Sequence, residues 1–550
     1  MNVIDNMIGV ISPAAAERRT AARLQAEKNR LATKAVQDAA GLITNSGYSH
    51  GGASHNRPAT KRWRSDSGSP ERDIEENRKT LRERSRDLYM NSALGAAAIN
   101  STRTNVVGEG LVPKPKIDFD FLGISREEAT NLENKIRKEF SLWAETTLCD
   151  NNDQNNFYEL QQIAFADWLR NGEEFCLILY GSKKPWMPYQ LRLKLVEGDR
   201  ISTPGSSSGD YKAENKKDGS RIVNGVEIDK NGRVLAYHIA SKFPGDNSFG
   251  QVTHKRIEKR GKKTGNPNIL HIYNADRADQ YRGVPFLAPI LETLKQITRY
   301  TEAEITAAVI GAIFSVFITT ETGDDIGAYT GDDLEEATGP EREDDEMVLS
   351  TGASVHFLQE GEDVKAMQAT HPTGNFEQFI QAMSVHVGAA LEIAPEVLQK
   401  KFSASYSAAK GALTESWKAF RMRRKWFVHD FCQEVYDLWF SEAVAKGRIT
   451  APGYFNDPLI KKAYTNCSWA GPAPGTLDPT KEVQAAVARI DAGLSTHEEE
   501  AAAINGSSFE DNVRTLKHEY ELMADLQPEE ESDEDQHQRP DREQRPGRGL

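Results

Sequence analysis

Apolar positions recur with helical spacing over the stretch from Gly283 to Lys446, and the rest of the chain can be placed around it. Leu287, Ile290, Leu291, Leu294, Ile297, Ile305, Ala308, Val309, Ala312 and Ile313 repeat at intervals of three and four, which marks one face of a helix. A helix from Val284 to Phe317, at about 1.5 Å per residue, would run about 50 Å. An acidic stretch follows, then a second helical run ending near Glu392 and a short segment through Ser407. A third helix is predicted from Ala408 to about Lys446, with Leu413, Trp417, Phe420, Phe427, Phe431, Val435 and Leu438 on one broad apolar stripe. Long helices separated by exposed loops predict a rod-like element rather than a catalytic pocket.

Upstream, the pattern changes to a mixture of helices and strands. Ile74 to Asn91 and Ala93 to Thr104 read as helices. Ser125 and Glu128 form a capping box in front of a helix whose inner face carries Leu132, Ile136, Phe140 and Trp143. Phe157 to Arg170 predicts another helix, and Asn171-Gly172 turns it into a strand from Glu174 to Tyr180. Gln190 to Val196, Ile222 to Ile228, Val234 to Ile239 and Ile269 to Tyr273 read as further strands, with Asp229 to Gly232 as a turn. Residues 76–282 therefore predict one α+β domain. Residues 1–75 read as an arm with a helical stretch from Pro13 to Arg30 and a basic-aromatic knot at 61–64. After Gly447 come strand and loop, then helices over Pro479–Gly493 and Ser507–Leu526.

Composition narrows the class. The net charge of −14 is unevenly spread. Residues 321–346 carry twelve acids against one arginine, and residues 525–550 carry nine acids against four arginines. The remaining chain is close to neutral, at about +2. The four cysteines are far apart and lack metal-ligand spacing, so they are expected to be reduced core thiols. The longest uncharged apolar run, Ile305 to Thr320, is shorter than the roughly 20 residues that span a bilayer, and no membrane association is expected.

Catalytic patterns are weak. Gly205 to Gly209 fits G-x-S-x-G only formally, because a Pro/Gly/Ser loop surrounds it where a strand and a helix are required. There is no phosphate-binding G-x-x-x-x-G-K-[ST] loop, and no His/Cys cluster. Glu343 to Glu346 is the one acidic cluster that would draw divalent cations, but it lacks calcium-loop spacing. Arg421, Arg423, Arg424 and Lys425 form a basic cluster. Successive helical positions point around the axis, so one or two of them would approach phosphate and the others would pair with acids such as Glu415 or Asp430. No cofactor, metal or catalytic residue is expected.

Several short motifs stand in a definite order. They are Arg82-Glu-Arg-Ser-Arg-Asp-Leu88, Asn105-Val-Val-Gly-Glu-Gly110, Arg282-Gly-Val-Pro285 leading to Ala288-Pro289, Tyr300-Thr-Glu-Ala-Glu304, Phe402 to Ala409, and Leu477-Asp-Pro-Thr-Lys-Glu482. As an ordered set over about residues 70–520, they resemble the lambda-type portal proteins of tailed bacteriophages. The resemblance implies an α+β portal fold assembling into a ring. Its parts would be an arm (1–75), a wing (76–283), a first stem helix (284–318), a clip with the acidic loop (319–370) and a second stem helix (371–392). A tunnel loop (393–408), a long helix (409–446), a helical crown (447–526) and a charged tail (527–550) would follow.

The same resemblance implies a dodecameric channel at one procapsid vertex of the virion, assembled in the host cytoplasm. Double-stranded DNA would be packaged through it by a separate terminase, whose large subunit is the motor, and later ejected. Capsid and scaffold proteins and head-tail joining proteins would be partners. Lys400, Lys401, Ser403, Ser405 and Tyr406 would line the DNA channel, with Ser407 capping the helix that follows. Ile305, Val309 and Ile313 would lie between subunits. Two other classes compete: a metal-dependent hydrolase or nuclease using the acidic cluster, and a cytosolic scaffold protein.

Overall fold

The computed structural model describes residues 12–41, scattered positions between 54 and 69, then 70–205, 213–216, 218–243, 252–313, 316–320, 347–349, 353–355, 362–366, 376–402, 405–475, 478–504 and 506–524. The chain divides into two units, Met1–Ser69 and Pro70–Leu550. In the first, helix α1 (Pro13–Gly41) runs further than the expected Pro13 to Arg30, and its described side chains are mostly exposed. Gly205 is described, but the serines that follow it and the acidic cluster at 343–346 lie outside the described residues.

The second unit begins with a wide helical turn over Glu71–Glu75. Helix α2 (Arg78–Asn91) follows, and Ser92 caps α3 (Ala93–Val106) by accepting from the Gly95 amide at 3.4 Å. After strand β1 (Val112–Pro115), α4 (Arg126–Ala144) starts at the capping box of Ser125 and Glu128. Its apolar face buries Ile136, Phe140 and Trp143, while Leu132 is half-buried, close to the periodicity in the sequence. Helix α5 (Phe157–Asn171) then turns at Gly172 into β2 (Glu173–Tyr180), which pairs antiparallel with β3 (Leu191–Glu197).

Five short strands form a second antiparallel sheet in sequential order. They are β4 (Ala213–Asn215), β5 (Arg221–Val223), β6 (Val226–Ile228), β7 (Val234–Ala240) and β8 (His254–Glu258). The strand expected over 222–228 is thus a hairpin. Asn224 and Gly225 have φ of 46° and 82°, the two positive values of the tight turn that Asn-Gly favours. Strand β9 (Ile269–Tyr273) returns to the other edge of β2 rather than joining this sheet. Side chains alternate across β2, so Cys176 and Ile178 enter the larger core while Phe175 enters a smaller one shared with β5, β6 and β7. Burial on both faces accounts for the near-continuous apolar run of this strand.

The helix expected over 284–318 is shorter at both ends. Pro285 and Pro289 remove amide donors at its start, and a 3-10 turn at Ala288–Ile290 precedes α6 (Leu291–Ile313). Beyond it the β-branched Val316, Ile318, Thr319 and Thr320 form β10 (Val316–Thr320) instead. Strands β11 (Met347–Leu349) and β12 (Ala353–Val355) pair with each other, and β13 (Glu362–Ala366) pairs with β10. Helices α7 (Phe376–Leu391) and α8 (Pro395–Gln399) lead to α9 (Tyr406–Phe427). The helix expected to reach Lys446 is a single run with one wide turn, Val428–Cys432, before α10 (Gln433–Ala445).

Helix α11 (Pro458–Thr465), strand β14 (Cys467–Ala470), and helices α12 (Pro479–Asp491), α13 (His497–Ile504) and α14 (Phe509–Ala524) complete the described chain. Strand β14 pairs antiparallel with β1, Val112 opposite Ala470 and Pro115 opposite Cys467. One hydrophobic core extends from Leu88 to Tyr464. Cys149, Cys176 and Cys432 are buried and free, and burial pushes the Cys149 thiol up to about 12.

Candidate functional site

The segment 393–408, read from the sequence as a loop free to move, has two unlike halves. Ile393 and Leu398 are buried in the main core. The Ile393 amide donates to the Gly388 carbonyl at 2.9 Å, and the Ala394 amide donates to Ser416 Oγ at 2.8 Å. Pro395 then opens α8 from its first position. The half before Gln399 is therefore anchored, while Lys400, Lys401 and Phe402 are exposed.

Lys400 ends α8 in a left-handed conformation, φ 55°. Lys401 Nζ lies 2.8 Å from Glu377 Oε1 in the first turn of α7, and both side chains are exposed. This lysine holds the Glu377 carboxyl below its ordinary value. Phe402 is 56% exposed. Ser405, rather than the expected Ser407, caps α9, accepting from the Ala408 amide at 3.5 Å. Ser403 and the side chain of Tyr406 lie outside the described residues.

The basic cluster of α9 divides differently from the expectation. Arg423 is buried and donates to the Leu391 carbonyl (3.1 Å) and to Glu392 (2.8 Å), while its guanidinium lies over the Phe286 ring. Arg424 donates to the carbonyls of Asn105, Val106 and Pro472. These two arginines tie elements together, and Arg421 and Lys425 are exposed. Glu415 pairs with Lys418, and Asp430 with His429.

On α6, Leu294 and Ile297 are buried, and Tyr300 packs on Phe376 and Phe379 of α7 at ring distances of 5.7 and 4.6 Å. Further along, Ile305 and Val309 are 59% and 53% exposed. They form an apolar face that one chain leaves in water. The Ile313 side chain lies outside the described residues.

Sequence reasoning missed a charged centre buried between the two sheets. Glu173 receives Arg282 through Nε (2.8 Å) and Nη2 (2.5 Å), His271 Nε2 (3.0 Å), the Gly283 amide (3.1 Å) and Arg78 Nη1 (3.4 Å). Burial pushes the Glu173 carboxyl up, but Arg282 and the hydrogen bonds around it win and hold it well below the carboxylate range. Arg282 also donates to the carbonyls of Ile201 (2.9 Å), Gly198 (2.6 Å) and Asn224. Arg82 meets Asp199 at 2.8 Å. A Cβ on Gly283 would stand 1.9 Å from the Gly172 carbonyl oxygen, so this approach requires glycine. The signal in the sequence was the spacing of Arg78, Arg82 and Arg86, one helix face of arginines, opposite two glutamates in an apolar strand. Among the described residues no group of three or more His, Cys, Asp or Glu side chains is placed to hold a metal ion.

Three of the ordered motifs thus serve the fold. Arg82 and Arg282 both approach Glu173, and Asn105-Val106 supplies carbonyls to Arg424. A match to the phage portal protein, lambda family, covers residues 56–424. The chain belongs to that family. This portal protein is 25% identical over 473 residues to portal protein B of Escherichia phage lambda, covering 83% of this chain and 86% of that one. It is 24% identical over 473 residues to the portal protein of Escherichia phage N15, with the same coverage. Among solved structures, a chain from the neck of an empty gene transfer agent particle aligns with a TM-score of 0.42 and 13% identity, over 78% of this chain and 94% of that one. Among the described residues no helix of this portal is long and apolar enough to cross a membrane.

Proposed function

We propose that copies of this portal close into a dodecameric ring at one vertex of a procapsid, as a virion component assembled in the host cytoplasm. Double-stranded DNA passes through the ring, driven in by the large subunit of a terminase and later ejected. Capsid, scaffold and head-tail joining proteins bind its outer parts. The observation that carries the reading is the apolar face of Ile305 and Val309, exposed in a single chain of a portal family and suited to burial by a neighbour. Ile313 extends the same face by its place in the sequence.

The segments read as wing, stem, clip and crown keep those roles in this proposal. Lys400 and Lys401, with Ser403, Ser405 and Tyr406, belong to the stretch nearest the passing phosphates. Two lysines near a neutral body attract DNA without a tight grip, which suits a conduit because each neutralised phosphate strengthens binding. The protein acts as a structural channel and hydrolyses nothing. Electron microscopy and native mass measurement of the purified chain test this reading. Closed rings with a central channel are expected, and a monomer at all concentrations would overturn it.

A further inference from the structure

The first unit carries charge of the opposite sign to the rest of the chain. Residues 1–69 hold ten Lys and Arg against five Asp and Glu, a surplus of five positive charges in a chain whose net charge is −14. Such a charge asymmetry marks a basic arm rather than a piece of the body. Within the unit, α1 has ten alanines but only three larger apolar residues, Leu24, Leu31 and Val36. Alanine, arginine, lysine, glutamine and glutamate are strong helix formers, so this helix needs little packing to form. Three apolar side chains in 29 residues are too few to seat it on a protein core or in a bilayer surface. What α1 does present is charge.

At about 100° per residue, Arg19, Arg23, Arg30 and Lys34 fall within a sector of about 60° of the helix circumference. All four side chains are exposed. From Arg19 to Lys34 the stripe is about 22 Å long, at about 1.5 Å per residue. Glu27 borders it, and Arg18 and Lys28 lie on the other side of the helix. Further on in the same unit, Arg62 and Trp63 are exposed within the basic-aromatic stretch at 61–64. The family match begins at residue 56, so α1 lies outside it. A helix with cations along one line fits a ligand whose negative charge also repeats along a line. Duplex DNA, with one charge per about 1.7 Å of its axis, is such a ligand. A protein partner would bring an apolar contact to the centre of the interface, and α1 has no apolar face to meet it.

We propose that α1 binds the phosphate backbone of duplex DNA along the stripe of Arg19, Arg23, Arg30 and Lys34, without regard to base sequence. The inference rests on the reading that this portal handles double-stranded DNA, and it adds a second stretch of chain that meets the duplex. Three of the four cations are arginines, whose planar fork matches a phosphate through two hydrogen bonds. Apart from the weak attraction of Lys400 and Lys401, the acid-rich remainder of the chain offers phosphate little. The arm therefore supplies the hold on DNA that a conduit itself should lack.

The test is fluorescence anisotropy of a labelled short duplex of arbitrary sequence with the full-length protein, titrated at several salt concentrations. Neutralising four phosphates gives a slope of about −3.6 in log affinity against log salt. Replacing all four stripe cations by glutamine is expected to flatten the parent's slope by about that amount, and by more where several arms of a ring share one duplex. Circular dichroism should stay that of the parent, since glutamine is also a strong helix former. Two double variants with the same change in charge separate the stripe from net charge. Arg19→Gln with Arg30→Gln should weaken binding at low salt roughly tenfold, and Arg18→Gln with Lys28→Gln, off the stripe, far less. Equal losses from the two pairs, or a slope untouched by the fourfold variant, overturn the proposal. Phosphatidylserine vesicles bound more tightly than the duplex, or displacement of the duplex by polyglutamate at equal charge, would overturn it in favour of a membrane or an acidic polypeptide. Because binding is read on the purified chain, the absence of rings would overturn the channel reading alone, and the absence of stripe-dependent binding this contact alone.

Discussion

Arg282 and Glu173 meet with both side chains at 0% exposure, across 109 residues of sequence. The arginine fork closes on the carboxylate and also takes the carbonyls of Ile201 and Gly198, so one side chain links β2 to the chain leaving β3. Removing one partner of a buried pair costs about 3–5 kcal/mol, because the other charge stays in the core without compensation. Arg282→Met is therefore expected to lower the free energy of unfolding from urea titration by that amount, with a correspondingly lower midpoint. Arg282→Lys should restore little of it, since a point charge cannot match the fork. A midpoint equal to the parent's in Arg282→Met would show that Arg78 and His271 alone satisfy Glu173.

The two adjacent glutamates of β2 give opposite pH dependences. Glu174 is 1% exposed, and burial, followed by the charges of Asp167, Glu197 and Glu173, pushes its carboxyl well above the ordinary value. The folded state thus keeps a proton that the unfolded chain gives up. Stability from this group is complete below the ordinary glutamate range and falls as pH rises toward the raised folded value. Glu174→Gln should flatten the stability profile above the ordinary glutamate range, gaining most at the alkaline end. Glu173 is held well below the ordinary range, so its contribution is present at neutral pH and fades as the solution turns acidic below that range. Urea midpoints across pH for both Gln variants check the signs; parallel profiles for Glu174→Gln and the parent would refute the first.

Ile305→Asp and Val309→Asp separate folding from assembly. Both positions are largely exposed in the single chain, where a surface change usually shifts stability by no more than about 0.5 kcal/mol. In a subunit interface the same aspartate would be buried without a partner, at a cost of several kcal/mol. The expected result is a monomer with the circular dichroism of the folded parent and no rings in electron micrographs. Rings from both variants would remove this face from the assembly.

Lys400→Ala with Lys401→Ala tests the channel. The Lys401–Glu377 pair is exposed at both ends, and such pairs contribute little to the fold. Rings should therefore persist, while packaged DNA falls. Full packaging by the double variant would exclude both lysines from the DNA path.

What could be read from the sequence was local. Ser125 and Glu128 sit three residues apart and cap one helix, and Ile136, Phe140 and Trp143 follow a spacing fixed by that helix. The proline-rich start of α6 was visible too, but the apolar stripe running past it outweighed two prolines that remove donors. Asn224-Gly225 carried a hairpin signal inside what looked like one strand. In the candidate site, Lys400 and Lys401 were legible as cations in a loop. Burial of Ile393 and Leu398 was not, because it depends on α3, far back along the chain, and on how the next helix, α9, folds back over the segment. The Glu173 centre was hidden for the same reason: Glu173, Arg282, His271, the Gly283 amide and Arg78 come from four segments far apart in sequence, so the helix face of arginines pointed to no particular partner.

The pairing of β1 with β14 sets a timetable for the newborn chain. Val112 leaves the ribosome more than 350 residues before its partner Ala470 is made. At about 5–20 residues per second, that is roughly 20–70 seconds of waiting. Through that interval β1 has no partner, and an unpaired strand edge is a template for unwanted pairing. A chain terminated before Cys467 never closes it. Translation to the far side of β14 is thus the step at which this subunit stops being a hazard to its neighbours and becomes a component they can use.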